Sequence, residues 1–279
     1  MNSEELEFQE LLASTPSVQQ LFSLKDKVAL VTGGAGWLGA QFCSALMDLE
    51  ATVLINSRSL DRAQQLASYL NTIKQSGRAV AQAFDINDEV VSAASVAQIL
   101  SEYGAIDVLI NNAFAGKQLR ISETSRSNFD EIVQSGLSSY FNLSKLAGAA
   151  MQTRGRGSII NIASMYGIVS PDPRLYEGTP YINSPAYGSA KAGLIQLSKY
   201  FAAFLGPYGV RVNSISPGPF PAPKAQEDVV FAKRLAAKTM LGRFGQPSEL
   251  KGAIVFLASE ASSFVTGQNI VVDGGWTTF

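Results

Sequence analysis

The chain contains no histidine, so a proton exchanged at neutral pH must pass through another side chain. Tyr187 and Lys191 stand four residues apart in AYGSAKAGLIQLSKYFAAFL, whose apolar spacing is helical, and they therefore share one helix face. A free phenol titrates at about 10, too high for an acid or base near neutrality, but an adjacent ammonium favours the phenolate and is expected to bring it down. Ser164 closes the β-rich run GSIINIAS and offers a hydrogen bond to a reacting oxygen. Together, Ser164, Tyr187 and Lys191 could protonate or deprotonate a substrate oxygen while a hydride moves at its carbon.

A hydride needs a carrier, and the segment TGGAGWLG (32–39) suggests one. It joins the strand-like KVALVT to the helical AQFCSALMDLE. Glycines in such a turn let the backbone approach a pyrophosphate while the helix N-terminus donates N–H groups. Gly33, Gly36 and Gly39, with Trp37 and Leu38 between them, are the candidate contacts. After the next strand comes Ser57-Arg58-Ser59, where an NAD-specific chain usually carries an acid for the ribose hydroxyls. Arg58 can instead pair with a 2′-phosphate through its planar guanidinium, so NADP(H) is expected over NAD(H).

These residues need a scaffold. Seven β-rich runs, at 27–32, 51–56, 78–84, 106–112, 157–164, 209–215 and 268–273, alternate with amphipathic stretches. Most are continuously apolar, as expected of parallel strands covered on both faces. The expected fold class is α/β, a doubly wound Rossmann fold with a seven-stranded parallel sheet flanked by helices. The 279 residues divide into an N-terminal extension, 1–24, in which a short amphipathic helix is possible, and a single domain, 25–279. An apolar share of 46% against 16% charged residues is enough to drive folding. A net charge of −1 without a long basic run gives no footprint for nucleic acid or an anionic membrane. Without histidine, and with Cys43 as the single cysteine, no metal site and no Ser-His-Asp hydrolase are expected. No secretory signal or membrane span is read, and the protein is expected to be cytoplasmic.

From about Leu24 to Trp276 the sequence resembles the classical short-chain dehydrogenase/reductase family. The resemblance rests on the glycine loop, Asp85-Ile86, Asn111-Asn112-Ala113, Asn161-Ile162-Ala163-Ser164, Tyr187-x-x-x-Lys191, Ser216-Pro217-Gly218 and the terminal VTGQNIVVDGGW. It implies that Asp85 and Ile86 contact adenine, that Asn112 and Ala113 line the cofactor cleft, and that Pro217 and Gly218 sit beside the nicotinamide. Tyr187 would exchange the proton, Lys191 would hold the nicotinamide ribose and tune Tyr187, and Ser164 would orient the reacting oxygen. The implied function is NADP(H)-dependent interconversion of a secondary alcohol and a ketone by a homotetramer or homodimer.

Several positions depart from the family's pattern. The glycine spacing is that of its extended branch, which keeps a sugar-nucleotide epimerase or dehydratase as an alternative. Phe114 replaces a glycine after Asn-Asn-Ala, and Gly136 stands where an asparagine usually completes a catalytic tetrad. A threonine usually found shortly after Pro-Gly is also absent. These losses keep a non-catalytic, cofactor-binding regulatory protein as a further alternative. In the family that asparagine mainly fixes a helix distortion whose carbonyl holds a water, so Gly136 is expected to keep the carbonyl and to tolerate asparagine. The segment between Ser164 and Tyr187 is about ten residues longer than usual and is expected to project over the active-site mouth. It resembles segments of bacterial surface-sugar and flagellin-modification members. Tyr166, Arg174, Tyr176 and Glu177 are its candidate contacts to a small-molecule substrate, expected to be sugar-like or a polyol.

Overall fold

Alternate residues of the first strand, β1 (Val28–Val31), enter different cores. Ala29 and Val31 face one, with Phe42 and Leu46; Val28 and Leu30 face the other, with Ile99 and Leu143. A strand with period two and apolar residues at every position must be covered on both sides, and here it is.

The computed structural model describes residues 3–279. Its helices and strands in chain order are α1 (Ser3–Ser14), α2 (Val18–Phe22), β1, α3 (Gly39–Asp48), β2 (Thr52–Ser57), α4 (Leu60–Ile73), β3 (Arg78–Ala83), α5 (Glu89–Tyr103), β4 (Val108–Asn111), α6 (Arg126–Val133), α7 (Ser139–Arg154), β5 (Gly157–Ile162), α8 (Pro185–Leu205), β6 (Val210–Pro217), α9 (Pro223–Gln226), α10 (Val229–Lys238), α11 (Lys251–Ala258) and β7 (Asn269–Val272). The seven strands are parallel and ordered β3-β2-β1-β4-β5-β6-β7. This is the doubly wound Rossmann sheet. Residues of α3, α4 and α11 cover one face and residues of α5, α7 and α8 the other. The chain leaves β1 toward β2 and later returns to β4 on its other side, which opens a crevice at the strands' carboxyl ends.

Local chemistry sets the helix ends. Asp88 and Ser125 cap α5 and α6 by accepting backbone N–H bonds from Val91 and Asn128. Ser184 caps α8, with Pro185 at its first position. Gly104 and Gly155 stop α5 and α7 at φ 74° and 68°, the left-handed region that glycine enters without a Cβ clash.

A chain of buried amides crosses the sheet. Asn111 donates to Asn161 on the adjacent strand at 2.8 Å and to Ser144 of α7 at 3.0 Å, and Asn161 donates to Ser198 of α8 at 2.9 Å.

At the N-terminus, α1 leaves Phe8 and Leu12 exposed, and α2 opens with a reciprocal capping box between Ser17 and Gln20. Leu24 is fully buried in the core beneath α3 and donates its N–H to Leu49. Leu24 is the last residue of the stretch that the sequence reading assigns to the extension. Met1 and Asn2 lie outside the described residues.

Candidate active site

Ser164, Tyr187 and Lys191 come together at the carboxyl edge of the sheet. Ser164 follows β5, where its hydroxyl accepts the Tyr166 N–H at 3.1 Å, and it lines one cavity with Tyr187. Tyr187 and Lys191 lie on successive turns of α8, as their spacing requires. Lys191 is buried and donates from Nζ to the Ile162 carbonyl at 2.7 Å. Burial raises the Tyr187 phenol, and the neighbouring Ser164 hydroxyl works in the opposite direction. Burial pushes Lys191 down to about 7. The expected lowering of Tyr187 by a neighbouring ammonium is therefore not what the site displays. Lys191 lies over the Tyr187 ring, 5.8 Å from its centroid, with its hydrogen bond spent on a carbonyl, and desolvation outweighs the attraction.

Beside this group lies a cleft of about 450 Å³ over the carboxyl ends of β1, β2, β3 and β4. Gly33, Gly36, Trp37 and Leu38 form one wall, and Asp85, Ile86 and Ala113 another. Asn112 stitches the glycine turn to β4 by donating to the carbonyls of Thr32 and Gly33 at 3.0 and 3.2 Å. Gly39 begins α3, and a Cβ on it would stand 2.3 Å from the Gly33 oxygen, so a side chain there would break the turn. A close backbone turn at a helix N-terminus suits a pyrophosphate, and the cleft fits a dinucleotide.

Ser57 and Arg58 line the same cleft, and Arg58 is exposed, with no partner among the described residues. Sequence reading missed Arg62, which lies one turn into α4, lines the cleft as well and donates to the Ala35 carbonyl at 3.3 Å. A second arginine in the short run Arg58–Arg62 after β2 was the available signal. Pro217 ends β6, and Gly218 lines a separate cavity that also holds Ser164 and Tyr187.

That second cavity, about 330 Å³, is walled by Met165, Phe220, Phe231 and Leu235. Its polar groups include Asn183, Gln118 and the Tyr166 and Tyr176 hydroxyls, which are hydrogen-bonded to each other at 2.8 Å. The long segment after Ser164 folds down onto α10 of its own chain. Tyr181 stacks on Phe231 at 4.5 Å, Arg234 donates to the carbonyls of Leu175 and Glu177, and Lys238 pairs with Asp172 at 2.9 Å. Two expected substrate contacts are not brought to the cavity. Arg174 is 79% exposed at its side chain and paired with Asp172, and Glu177 is exposed outside the lining. For Arg174 this follows from the 3₁₀ turn Pro173–Leu175, which buries Leu175 and leaves Arg174 outside. Tyr166 and Tyr176 do reach the cavity.

The position expected to hold a tetrad asparagine lies in a π-helical turn, Gln134–Ser138, between α6 and α7. The helix distortion is present with glycine. Among the described residues no His, Cys, Asp and Glu group could hold a metal ion, and no helix is long and apolar enough to cross a membrane.

Residues 34–277 match the profile of a protein family described as enoyl-(acyl carrier protein) reductase. The chain is also 33% identical to cyclopentanol dehydrogenase of Comamonas testosteroni over 257 residues, which is 91% of this chain and 98% of that protein. The chain belongs to the short-chain dehydrogenase/reductase family. Another member, gluconate 5-dehydrogenase of Gluconobacter oxydans, is 34% identical over 261 residues, covering 92% of this chain and 97% of its own. Among solved members, a gluconate 5-dehydrogenase from Burkholderia cenocepacia in complex with NADP and tartrate superposes with a TM-score of 0.85 at 28% identity, covering 94% of this chain and all of that one. As a short-chain dehydrogenase/reductase, the protein is an NAD(P)-dependent oxidoreductase acting on a small molecule.

Proposed function

We propose that the protein interconverts a neutral, compact secondary alcohol and its ketone with NADP(H). The observation that carries this reading is that Ser164 and Tyr187 line one open, mostly apolar cavity beside the glycine cleft. A bound nicotinamide would supply or accept the hydride. Ser164 would orient the reacting oxygen, Tyr187 would give it a proton in reduction and take one in oxidation, and Lys191 would favour the phenolate when charged. Gly33, Gly36 and Gly39 would hold the pyrophosphate.

The NADP(H) preference is supported by Arg58 and Arg62, two cations on one rim of the cleft. The substrate class is supported by the cavity lining, which carries hydroxyl and amide groups but no charged side chain. A neutral alicyclic alcohol or short polyol meets that lining, whereas a sugar acid would find no cation for its carboxylate. The sugar-like expectation thus narrows to uncharged members. Exposed Phe141 on α7 with Tyr200 and Phe204 on α8 supports a homo-oligomer, for which we propose a cytoplasmic location. The test is oxidation of cyclopentanol, threitol and gluconate with NADP and with NAD. The reading expects turnover of a neutral alcohol with NADP; faster turnover of gluconate, or of any alcohol with NAD, overturns it.

A further inference from the structure

Lys191 presents an unusual problem for a buried cation. It makes one hydrogen bond, to the Ile162 carbonyl, and no ion pair among the described residues. What surrounds the rest of its ammonium is aromatic. Its Nζ lies 4.9 Å from the centroid of Tyr140, 5.5 Å from that of Phe114 and 5.8 Å from that of Tyr187. Ring faces carry negative quadrupole charge and attract a cation within about 6 Å.

Two of these rings have no assigned role. Tyr140 opens the first turn of α7 and is fully buried, and its hydroxyl has no hydrogen-bond partner. A polar atom left so is costly, so the residue's place there is a matter of its ring. Phe114 follows β4, lines the cofactor cleft and stands edge-on to Tyr187. Its position depends on Gly136: a Cβ built there would lie 3.2 Å from Phe114 Cε2 and 3.4 Å from Cδ2. A side chain at 136 would press on the ring by a few tenths of an ångström, and on the Ala190 methyl at 3.4 Å.

We infer that Phe114 and Tyr140 are positioning residues that hold the Lys191 ammonium between their rings, and that Gly136 is the residue that makes room for Phe114. Their effect on the reaction passes through Lys191 to Tyr187 and rests on the oxidoreductase reading above. The titratable groups facing Lys191 are Tyr187 from its own helix and Tyr140 from α7; β5 contributes only the Ile162 carbonyl. Burial in this enclosure lowers the lysine, and the rings oppose that lowering by favouring the charged form.

The test is a pH titration of Lys191 by NMR in the full chain labelled at the lysine ε-carbon, with the signal assigned by Lys191→Arg. Phe114→Leu is expected to make the lysine more acidic, by about three- to tenfold in its acid constant. Tyr140→Phe, which keeps the ring and removes only the hydroxyl, is expected to leave it in place. An unchanged or less acidic lysine in Phe114→Leu overturns the proposal. Should that variant fold poorly, a trifluorinated phenylalanine at position 114 keeps the shape while draining the ring face, and the same two outcomes decide. The matching kinetic readout is the pH profile of alcohol oxidation. If the wild type oxidises no alcohol, the functional reading fails while the titration still decides the cage.

Discussion

The ring of Phe114 meets that of Tyr187 edge to face, with centroids 5.1 Å apart and planes at 79°. Phe114 and Gly136 read in sequence as two separate losses from the family's pattern, yet in space they form one arrangement. The expectation that Gly136 would tolerate asparagine does not account for the ring beside it. Gly136→Asn is expected to cost about 1–3 kcal/mol through overpacking, and Phe114→Gly in the same chain to recover most of it. Urea unfolding of the single and double variants measures this; additive losses would show that the two positions are independent.

Tyr187→Phe removes one oxygen and leaves the ring against Phe114. Turnover is expected to fall roughly 100- to 10,000-fold, with NADPH affinity nearly unchanged by fluorescence titration. Undiminished turnover would remove Tyr187 from the proton path.

For Arg58→Ala, a charge-assisted contact of about 1.5–3 kcal/mol translates into roughly a ten- to hundredfold loss of NADPH affinity. NADH affinity should hardly move. Arg62→Ala should follow in the same direction, since both side chains line the rim. A wild type that binds both cofactors equally would contradict this assignment.

Lys191 titrates at about 7 in the folded chain, below its ordinary value. Between those two values the unfolded chain holds a proton that the folded chain does not. Raising pH through that window therefore favours folding, by at most about 1.4 kcal/mol per pH unit, and the dependence vanishes below the window. Denaturant melts of the cofactor-free protein should show its stability rising above pH 7 relative to Lys191→Met. A pH-independent difference would mean that the ammonium is solvated in the native state.

At the second cavity, Tyr176→Phe and Asn183→Ala are expected to raise KM with NADPH affinity unchanged, because both side chains line the cavity that holds Ser164 and Tyr187. Arg174→Ala should alter neither quantity, since its guanidinium faces solvent and Asp172. A raised KM in Arg174→Ala would place the substrate outside the cavity.

The strands were legible because their signal is local: continuous apolar runs such as VALV and VLIN need no knowledge of their neighbours. The candidate catalytic group was legible for a similar reason, with Tyr187 and Lys191 one turn apart on a helix and Ser164 at a strand end. Long-range packing decided what the sequence did not disclose. The path of the segment after Ser164 is set by Arg234 and Phe231, 50 to 59 residues along the chain from the groups they touch, so which of Tyr176, Arg174 and Glu177 faces inward had no local cue. The direction of the Tyr187 shift depends likewise on its burial, to which Phe114 from the end of β4 contributes. Arg62 had a cue in the short run it shares with Arg58, but only once the start of α4 was known.

The amides buried between β4 and β5 answer a difficulty created by the strands themselves. With apolar residues on both faces, a slip of one residue would move Leu109 and Ile110 from one greasy layer to another at little cost, so hydrophobicity alone leaves the alignment ambiguous. Asn111 and Asn161 are directly paired across the two strands. A slip of one residue in either direction would leave Asn111 opposite Ile160 or Ile162 and break its bond to Asn161, so the pair acts as an alignment pin. Because Ser164 follows β5 and Phe114 follows β4, that pin also fixes how far each reaches past the sheet edge. The accuracy of the reacting group is thereby set deep in the sheet, at residues that never meet the substrate.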